Sequence, residues 1–115
     1  MLGYSMDWDA AVKAAGSASL VVLLDVTLTD AEAAVVAGAG AVIVLGTIEP
    51  QSLAAARVVL PVTNTAEEQG TFVNRDGRVQ RYQQTRSAPG MGRPAWWIAA
   101  EVQRASATTP SEAFA

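Results

Sequence analysis

Three short runs of aliphatic residues constrain the fold of this chain more than any other feature. They read SLVVLLDV, AVIVLG and RVVLPV, and they occupy residues 19–26, 41–46 and 57–62. Continuous runs of leucine and β-branched residues at this length are typical of strands that are buried on both faces of a parallel sheet. Parallel strands need crossover connections, so the intervening segments must return the chain across the sheet.

Helix signals occupy those intervening segments. Thr29 and Glu32 form a Thr-x-x-Glu capping box before an Ala- and Val-rich stretch, and glycines at positions 38 and 40 end that stretch. Pro50 predicts the start of a second, brief helix over residues 51–56. The sequence therefore predicts an α/β fold, in which a βαβαβ unit forms a short parallel three-stranded sheet with flanking helices and right-handed crossovers.

The pattern changes after the third run. Residues 71–73 and 78–82 flank the sequence Asn-Arg-Asp-Gly, which fits a type I turn closed by Gly77 in the left-handed conformation. This pattern predicts a β-hairpin, and Pro94 marks the start of a C-terminal helix. We interpret residues 1–104 as a single α/β domain and residues 105–115 as a flexible tail.

Two residue types are absent from all 115 positions, cysteine and histidine. Without cysteine the chain has no thiolate nucleophile and no ligand for an iron–sulfur cluster, and without histidine it lacks the commonest general base. A net charge of −3 gives no electrostatic reason to expect a nucleic-acid partner. The missing cysteine and histidine lead us to expect no metal and no catalytic activity in this chain itself. The apolar runs are far shorter than the roughly 20 residues of a membrane span, so we expect a cytoplasmic chain.

Acidic and basic residues around the hairpin are candidates for a site. Glu67 and Glu68 adjoin one another, so on a helical turn their side chains diverge by about 100° and do not suit a general acid/base pair. A solvated cap, in a second capping box from Thr65 to Glu68, is the favoured interpretation. Arg78 and Arg81 are explained by exposure to solvent, by a local ion pair with Glu67 or Glu68, or by contact with a ligand or partner.

The C-terminal helix carries two adjacent tryptophans. Ile98 and Val102 lie on its predicted apolar face, whereas Trp97 falls on the side with charged residues. We expect one tryptophan to belong to the core. The other is predicted to be covered by the hairpin or to contact a partner, since large aromatic side chains favour interfaces.

Residues 56–102 resemble a segment of the molybdopterin oxidoreductase superfamily. In that family a strand ending Val-Val-Leu-Pro leads through an Ala-Glu pair to Gly-Thr-Phe/Tyr-x-Asn, and then to Gly-Arg, Gln and an aromatic helix. The matching positions here are Pro61, Ala66, Glu67, Gly70, Thr71, Phe72, Asn74, Gly77, Arg78, Gln80, Arg93, Pro94 and Trp97. Arg57 stands where the family usually has Asp, and Asp76 replaces the usual Glu. The greatest similarity is to the C-terminal region of the large peripheral-arm subunit of respiratory complex I, the NADH-quinone oxidoreductase.

The complex I resemblance implies a non-catalytic structural subunit or domain of an electron-transfer assembly. Its partners would be other oxidoreductase subunits, with Arg78, Arg81 and Trp97 as contact residues. Iron–sulfur clusters or molybdopterin would belong to partner chains, and association with the inner membrane would be peripheral, through those subunits. One alternative is a pterin- or nucleotide-binding module that completes the site of a molybdopterin-dependent oxidoreductase, with Glu67, Asn74 and Arg78 as ligand-binding residues. A trimmed domain without independent activity is a further alternative.

Overall fold

A computed structural model of the chain describes residues 7–49 and 55–107. It confirms the predicted α/β class, with a three-stranded parallel sheet, a two-stranded antiparallel hairpin and a C-terminal helix. The chain divides into two compact units, residues 1–61 and 62–115. In chain order the elements are α1 (Trp8–Ala15), β1 (Val21–Leu24), α2 (Asp30–Val36), β2 (Val42–Gly46), β3 (Ala56–Pro61), β4 (Gly70–Val73), β5 (Val79–Tyr82) and α3 (Ala95–Ala107).

The first unit contains the parallel sheet, with strand order β1-β2-β3. Val21 pairs with Val42 and Leu23 with Val44, so these four side chains lie on one face of the sheet. Ala33 and Val36 of α2 pack against Val42 and Val44 to form the buried core. Partly buried side chains complete this cluster: Ala15, Val21, Leu23, Leu28, Ala39 and Ala56.

Burial of the strands on both faces was predicted, and this prediction is wrong for the outer strands. The opposite face of the sheet carries the pairs Val22–Ile43 and Ile43–Val58, and both valines are exposed. Only β2 is largely buried, because it has a neighbouring strand on each side. The helices that pack on the core cluster cover a single face of the sheet.

The predicted capping box of α2 is confirmed. The Thr29 hydroxyl accepts a hydrogen bond from the Glu32 backbone N–H at 3.3 Å, and the Glu32 carboxylate accepts one from the Thr29 backbone N–H at 2.7 Å. The helix predicted over residues 51–56 lies mostly outside the described residues. Its last residue, Ala56, is the first residue of β3.

The second unit contains the predicted hairpin. Val73 pairs with Val79 and Thr71 with Arg81, and Gly77 adopts a φ of 77° in the connecting turn. The Asn74 carboxamide oxygen accepts hydrogen bonds from the backbone N–H groups of Asp76 and Arg78, at 3.0 and 2.9 Å. This side chain therefore holds the turn in the predicted place.

Helix α3 begins after Pro94, as predicted, but its apolar face does not form the predicted core. Ile98 is its one buried residue, and Val102 is exposed. Both tryptophans are exposed as well, Trp96 at 65% and Trp97 at 42% of their accessible area. The expectation of one core tryptophan is wrong, because consecutive helical side chains diverge and neither points along the direction of Ile98. The helix runs through residues 105–107, and the rest of the predicted tail lies outside the described residues.

Candidate functional site

The carboxyl edge of the parallel sheet brings Asp25 and Thr47 together. Asp25 directly follows β1, and Thr47 directly follows β2. One carboxylate oxygen of Asp25, Oδ1, accepts hydrogen bonds from the Thr47 backbone N–H at 3.0 Å and from the Thr47 hydroxyl at 2.7 Å. In open α/β sheets, ligands bind at this edge, beyond the carboxyl ends of the strands.

The backbone of Asp25 is strained. Its φ of 48° lies in the left-handed region, where residues other than glycine are uncommon and where Asp and Asn are enriched. The Asp25 backbone N–H donates to the Leu45 carbonyl at 2.7 Å, and the side chain is held by Thr47, so both partners on the β2 side fix this conformation. Strain of this kind clusters at functional sites.

The Asp25 carboxylate is ionised and can accept further hydrogen bonds. Hydrogen bonds from the Thr47 backbone and then from its hydroxyl lower the pKa of Asp25 below its usual 3.8, and a small desolvation effect opposes them. Both bonds use Oδ1, and no described residue donates to Oδ2. The site can therefore accept N–H donors from a ligand.

Sequence reasoning missed this pair. Asp25 falls within the strand predicted over residues 19–26, and that prediction treats the segment as one continuous aliphatic run and assigns Asp25 no role. The available signal was an acidic residue at the carboxyl end of a predicted parallel strand, followed by a threonine at the end of the next strand.

Glu67, one of the predicted site residues, is buried and fully engaged in the second unit. Its Oε1 lies 2.6 Å from Arg86 Nη2, and its Oε2 accepts a hydrogen bond from the Asn64 backbone N–H at 3.3 Å. The Asn64 side chain in turn accepts from the Ala66 backbone N–H at 2.9 Å. The cap thus begins at Asn64, not at the predicted Thr65, and it closes a turn without continuing as a helix.

Glu68 points to different partners. Its carboxylate accepts hydrogen bonds from the Thr63 hydroxyl at 2.7 Å and from the Tyr82 hydroxyl at 2.8 Å. The predicted solvated cap is therefore wrong, since Glu67 is buried and Glu68 is half-buried. The predicted local ion pair of these acids with Arg78 or Arg81 is also wrong, because Arg86 is the arginine that pairs with Glu67.

The remaining predicted ligand residues lie in the hairpin turn. The Asn74 side-chain oxygen is used by the turn itself, whereas the Arg78 guanidinium is exposed and makes no hydrogen bond or ion pair with any described residue. The structure shows no hydrogen bond that joins Glu67 to either residue within the described part of the second unit. Of the three, Arg78 alone keeps a free side chain for a ligand.

The predicted contact residues are all exposed. Arg81 lies on β5 opposite Thr71, on the same hairpin face as Val73 and Val79. Trp97 lies in the first turn of α3. Their exposure leaves each of them accessible to a partner.

Over residues 7–49 and 55–107, no group of three or more acidic side chains lies close enough to hold a metal ion. None of the helices described there is long and apolar enough to cross a membrane.

Comparison with known proteins identifies a family and a relative. A family model described as molybdopterin oxidoreductase matches residues 3–105 of this chain. A protein named "Putative formate dehydrogenase YrhE", from Bacillus subtilis (strain 168), is 49% identical over 47 residues, which are 41% of this chain and 5% of that relative. The chain therefore spans a small part of this relative. No solved structure matches the chain.

Proposed function

Because this chain belongs to the molybdopterin oxidoreductase family, we propose that it is a non-catalytic module that completes a pterin- or guanine-nucleotide-binding site in a molybdopterin-dependent oxidoreductase. The observation that carries the proposal is the Asp25–Thr47 pair at the carboxyl edge of the parallel sheet. The family supports a pterin or guanine nucleotide as the ligand, and the geometry of Asp25 and Thr47 supports the carboxyl edge of the sheet as its binding site.

The chemistry of Asp25 fits the edge of a pterin or guanine ring. Each of these rings presents a ring N–H beside an exocyclic amino group, and a carboxylate accepts hydrogen bonds from both types of donor. The lowered pKa keeps Asp25 ionised at neutral pH, and Oδ2, to which no described residue donates, can receive such donors. Thr47 fixes the carboxylate by occupying Oδ1, so less side-chain freedom is lost on binding.

Glu67 and Asn74 have a structural role in this proposal. Their side-chain oxygens stabilise the turn before β4 and the hairpin turn, so they hold the backbone and do not donate to or accept from the ligand. Arg78 remains a ligand-binding or contact candidate. In this proposal the main ligand contact is Asp25 at the sheet edge, whereas the sequence predicted it at Glu67, Asn74 and Arg78.

A bound molybdopterin would supply the redox chemistry of the assembly. This chain would contribute a carboxylate that orients a ring, while the metal and any iron–sulfur cluster would be held by partner chains. The sequence has no cysteine or histidine with which to ligate them. The name of the Bacillus relative supports formate as the substrate of the complete assembly.

The complex I hypothesis is the rival form of this proposal. It would keep the chain purely architectural, with Arg78, Arg81 and Trp97 in subunit contacts and with peripheral attachment to the inner membrane through partners. The comparisons support the superfamily and a formate dehydrogenase-like relative, and they add no support for complex I. We therefore rank the complex I hypothesis second. Under either hypothesis we propose a cytoplasmic location for the chain.

A titration of the purified chain tests the proposal. GMP is compared with IMP, which lacks the exocyclic amino group, and with 6-hydroxymethylpterin. We expect saturable binding of GMP and the pterin, weaker binding of IMP, and at least a tenfold loss of GMP affinity in D25N. D76N is the matched control, because it removes one exposed carboxylate in the hairpin turn and should leave the affinity unchanged. Equal binding of GMP by D25N and the wild type, or no binding by either, would exclude Asp25 as the ligand contact.

A further inference from the structure

The acidic side chains of the first unit all lie at the carboxyl edge of its parallel sheet. Asp25 directly follows β1, and Glu49 comes shortly after the end of β2. Helix α2 returns the chain from the carboxyl end of β1 to the amino end of β2, so its first turn lies at this edge. The Trp8 indole N–H donates to Glu32 Oε1 at 2.5 Å, which places the start of α1 at the same edge. The caps and first turns of these two helices supply the other acids: Asp7, Asp9, Asp30 and Glu32.

The basic side chains of the first unit lie at the opposite end of the sheet. Lys13 is in the last turn of α1, and Arg57 is the second residue of β3. Both helices end on this side, where a Cβ at Gly38 would be 2.7 Å from the Gly16 carbonyl oxygen. The sequence of residues 1–61 contains no other lysine or arginine. The first unit therefore has no cationic side chain with which to hold a phosphate at the carboxyl edge.

The N-terminus of α2 is also unsuited to a phosphate. In open α/β sheets, phosphate groups bind at the N-terminus of the helix that follows the first strand, where backbone N–H groups point at the anion. Here the Thr29 hydroxyl accepts from the Glu32 backbone N–H, and the Glu32 carboxylate accepts from the Thr29 backbone N–H. Hydrogen bonds from Trp8 and then from Thr29 lower the pKa of Glu32, so this carboxylate is ionised at neutral pH. Asp30 adds a second negative charge in the same turn, so the chain's own carboxylates take the place of an external anion.

From this segregation of charge we propose that the carboxyl edge selects an uncharged heterocycle, such as a guanine base or a free pterin, and disfavours the phosphate groups of the same ligand. This selectivity rests on the proposed function, because it specifies which part of the ligand the Asp25–Thr47 pair receives. Asp25 accepts the N–H donors of the ring, whereas Asp30, Glu32 and Glu49 repel a phosphate. The phosphate of a bound nucleotide then points away from this edge.

A salt-dependent titration of the full chain with guanosine, GMP and GTP tests the selectivity. The three ligands share the guanine ring and differ in phosphate charge, and a chelator keeps divalent cations away from the phosphates. At roughly 20 mM salt we expect guanosine to bind about threefold more tightly than GMP and about tenfold more tightly than GTP. At roughly 500 mM salt these ratios should approach one, because repulsion between exposed charges is screened.

A charge variant locates the source of the repulsion. D30N removes one exposed carboxylate from the first turn of α2 and leaves both hydrogen bonds of the capping box in place. It should reduce the preference for guanosine over GMP at low salt by about half. D76N is the matched control, because it changes the net charge equally in the hairpin turn of the second unit and should leave the preference unchanged. Circular dichroism checks that both variants keep the wild-type helix content.

Three results would overturn the selectivity. They are binding of GMP or GTP at least as tight as that of guanosine at low salt, a preference for guanosine that high salt does not reduce, and an effect of D30N no larger than that of D76N. In each case, loss of binding in D25N would still support the ligand site, so the two failures are distinguishable. Absence of binding by all three ligands would overturn both the ligand site and its selectivity.

Discussion

Tyr82 lies directly across Gly70 of the neighbouring strand, so closely that a Cβ at Gly70 would be 2.6 Å from the Tyr82 hydroxyl oxygen. This close approach lets the tyrosine cross β4 and donate its hydroxyl hydrogen bond to Glu68. The same ring also contacts Phe72, with 5.9 Å between the ring centroids. Gly70 is therefore required by the packing of one side chain, since its own φ is not in the left-handed region.

We predict that Gly70→Ala destabilises the hairpin by displacing Tyr82. The added methyl group would meet three atoms of the Tyr82 side chain within 3.0 Å, the hydroxyl oxygen among them, so the tyrosine must move and the Glu68 hydrogen bond is lost. The expected cost is about 1–2 kcal/mol of unfolding free energy. A double-mutant cycle with Tyr82→Ala measures it, because the Ala substitution at Gly70 should cost far less once the ring is absent. Equal costs in both backgrounds would show that the ring is not the cause.

A pH dependence follows from the same tyrosine. The hydrogen bond to the Glu68 carboxylate raises the pKa of Tyr82 above its usual 10.0, and desolvation adds to this effect. A raised folded-state pKa means that the stabilisation is complete below pH 10 and is lost as the pH rises through the folded pKa. Above about pH 10 the unfolding free energy of the wild type should therefore fall more steeply than that of Tyr82→Phe. Parallel pH profiles would contradict the contact.

The Glu67–Arg86 pair should stabilise the second unit more than the exposed pair in α3. The Glu67 side chain is 5% exposed and also accepts from the Asn64 backbone, so its removal deletes a buried acceptor and both of its hydrogen bonds. We predict a cost of about 1–3 kcal/mol for Glu67→Ala. Glu101→Ala is the matched control, since the Glu101 side chain is 39% exposed, and it should change stability by less than about 1 kcal/mol. Chemical denaturation of both variants measures the difference, and similar costs would refute a structural role for Glu67.

Sequence patterns predicted those elements that local chemistry determines. The capping box at Thr29 and the Asn-Arg-Asp-Gly turn use side-chain to backbone bonds within a few residues, so they are readable without the fold. The order of strands and helices followed from the aliphatic runs. These features needed no knowledge of what packs against them.

The errors concern features that depend on distant parts of the chain. Exposure of Val22 and Val58 depends on which face the helices cover, and an aliphatic run gives the same pattern in either case. Asn64 and Thr65 are both good capping residues, so the local sequence does not distinguish them. The ion-pair partner of Glu67 is Arg86, which lies nineteen residues away in the chain. The left-handed backbone of Asp25 depends on Thr47 in the next strand connection, so no local pattern predicted it.

Amide chemical-shift mapping of the full chain with GMP tests the central claim most directly, because it locates even weak binding without requiring activity. The account predicts that the largest saturable shifts occur at Asp25, Thr47 and their neighbours at the carboxyl edge of the sheet, and that they vanish in D25N. Shifts centred on Asn74 and Arg78 in the hairpin turn, or no saturable shifts at any concentration of GMP, would contradict it.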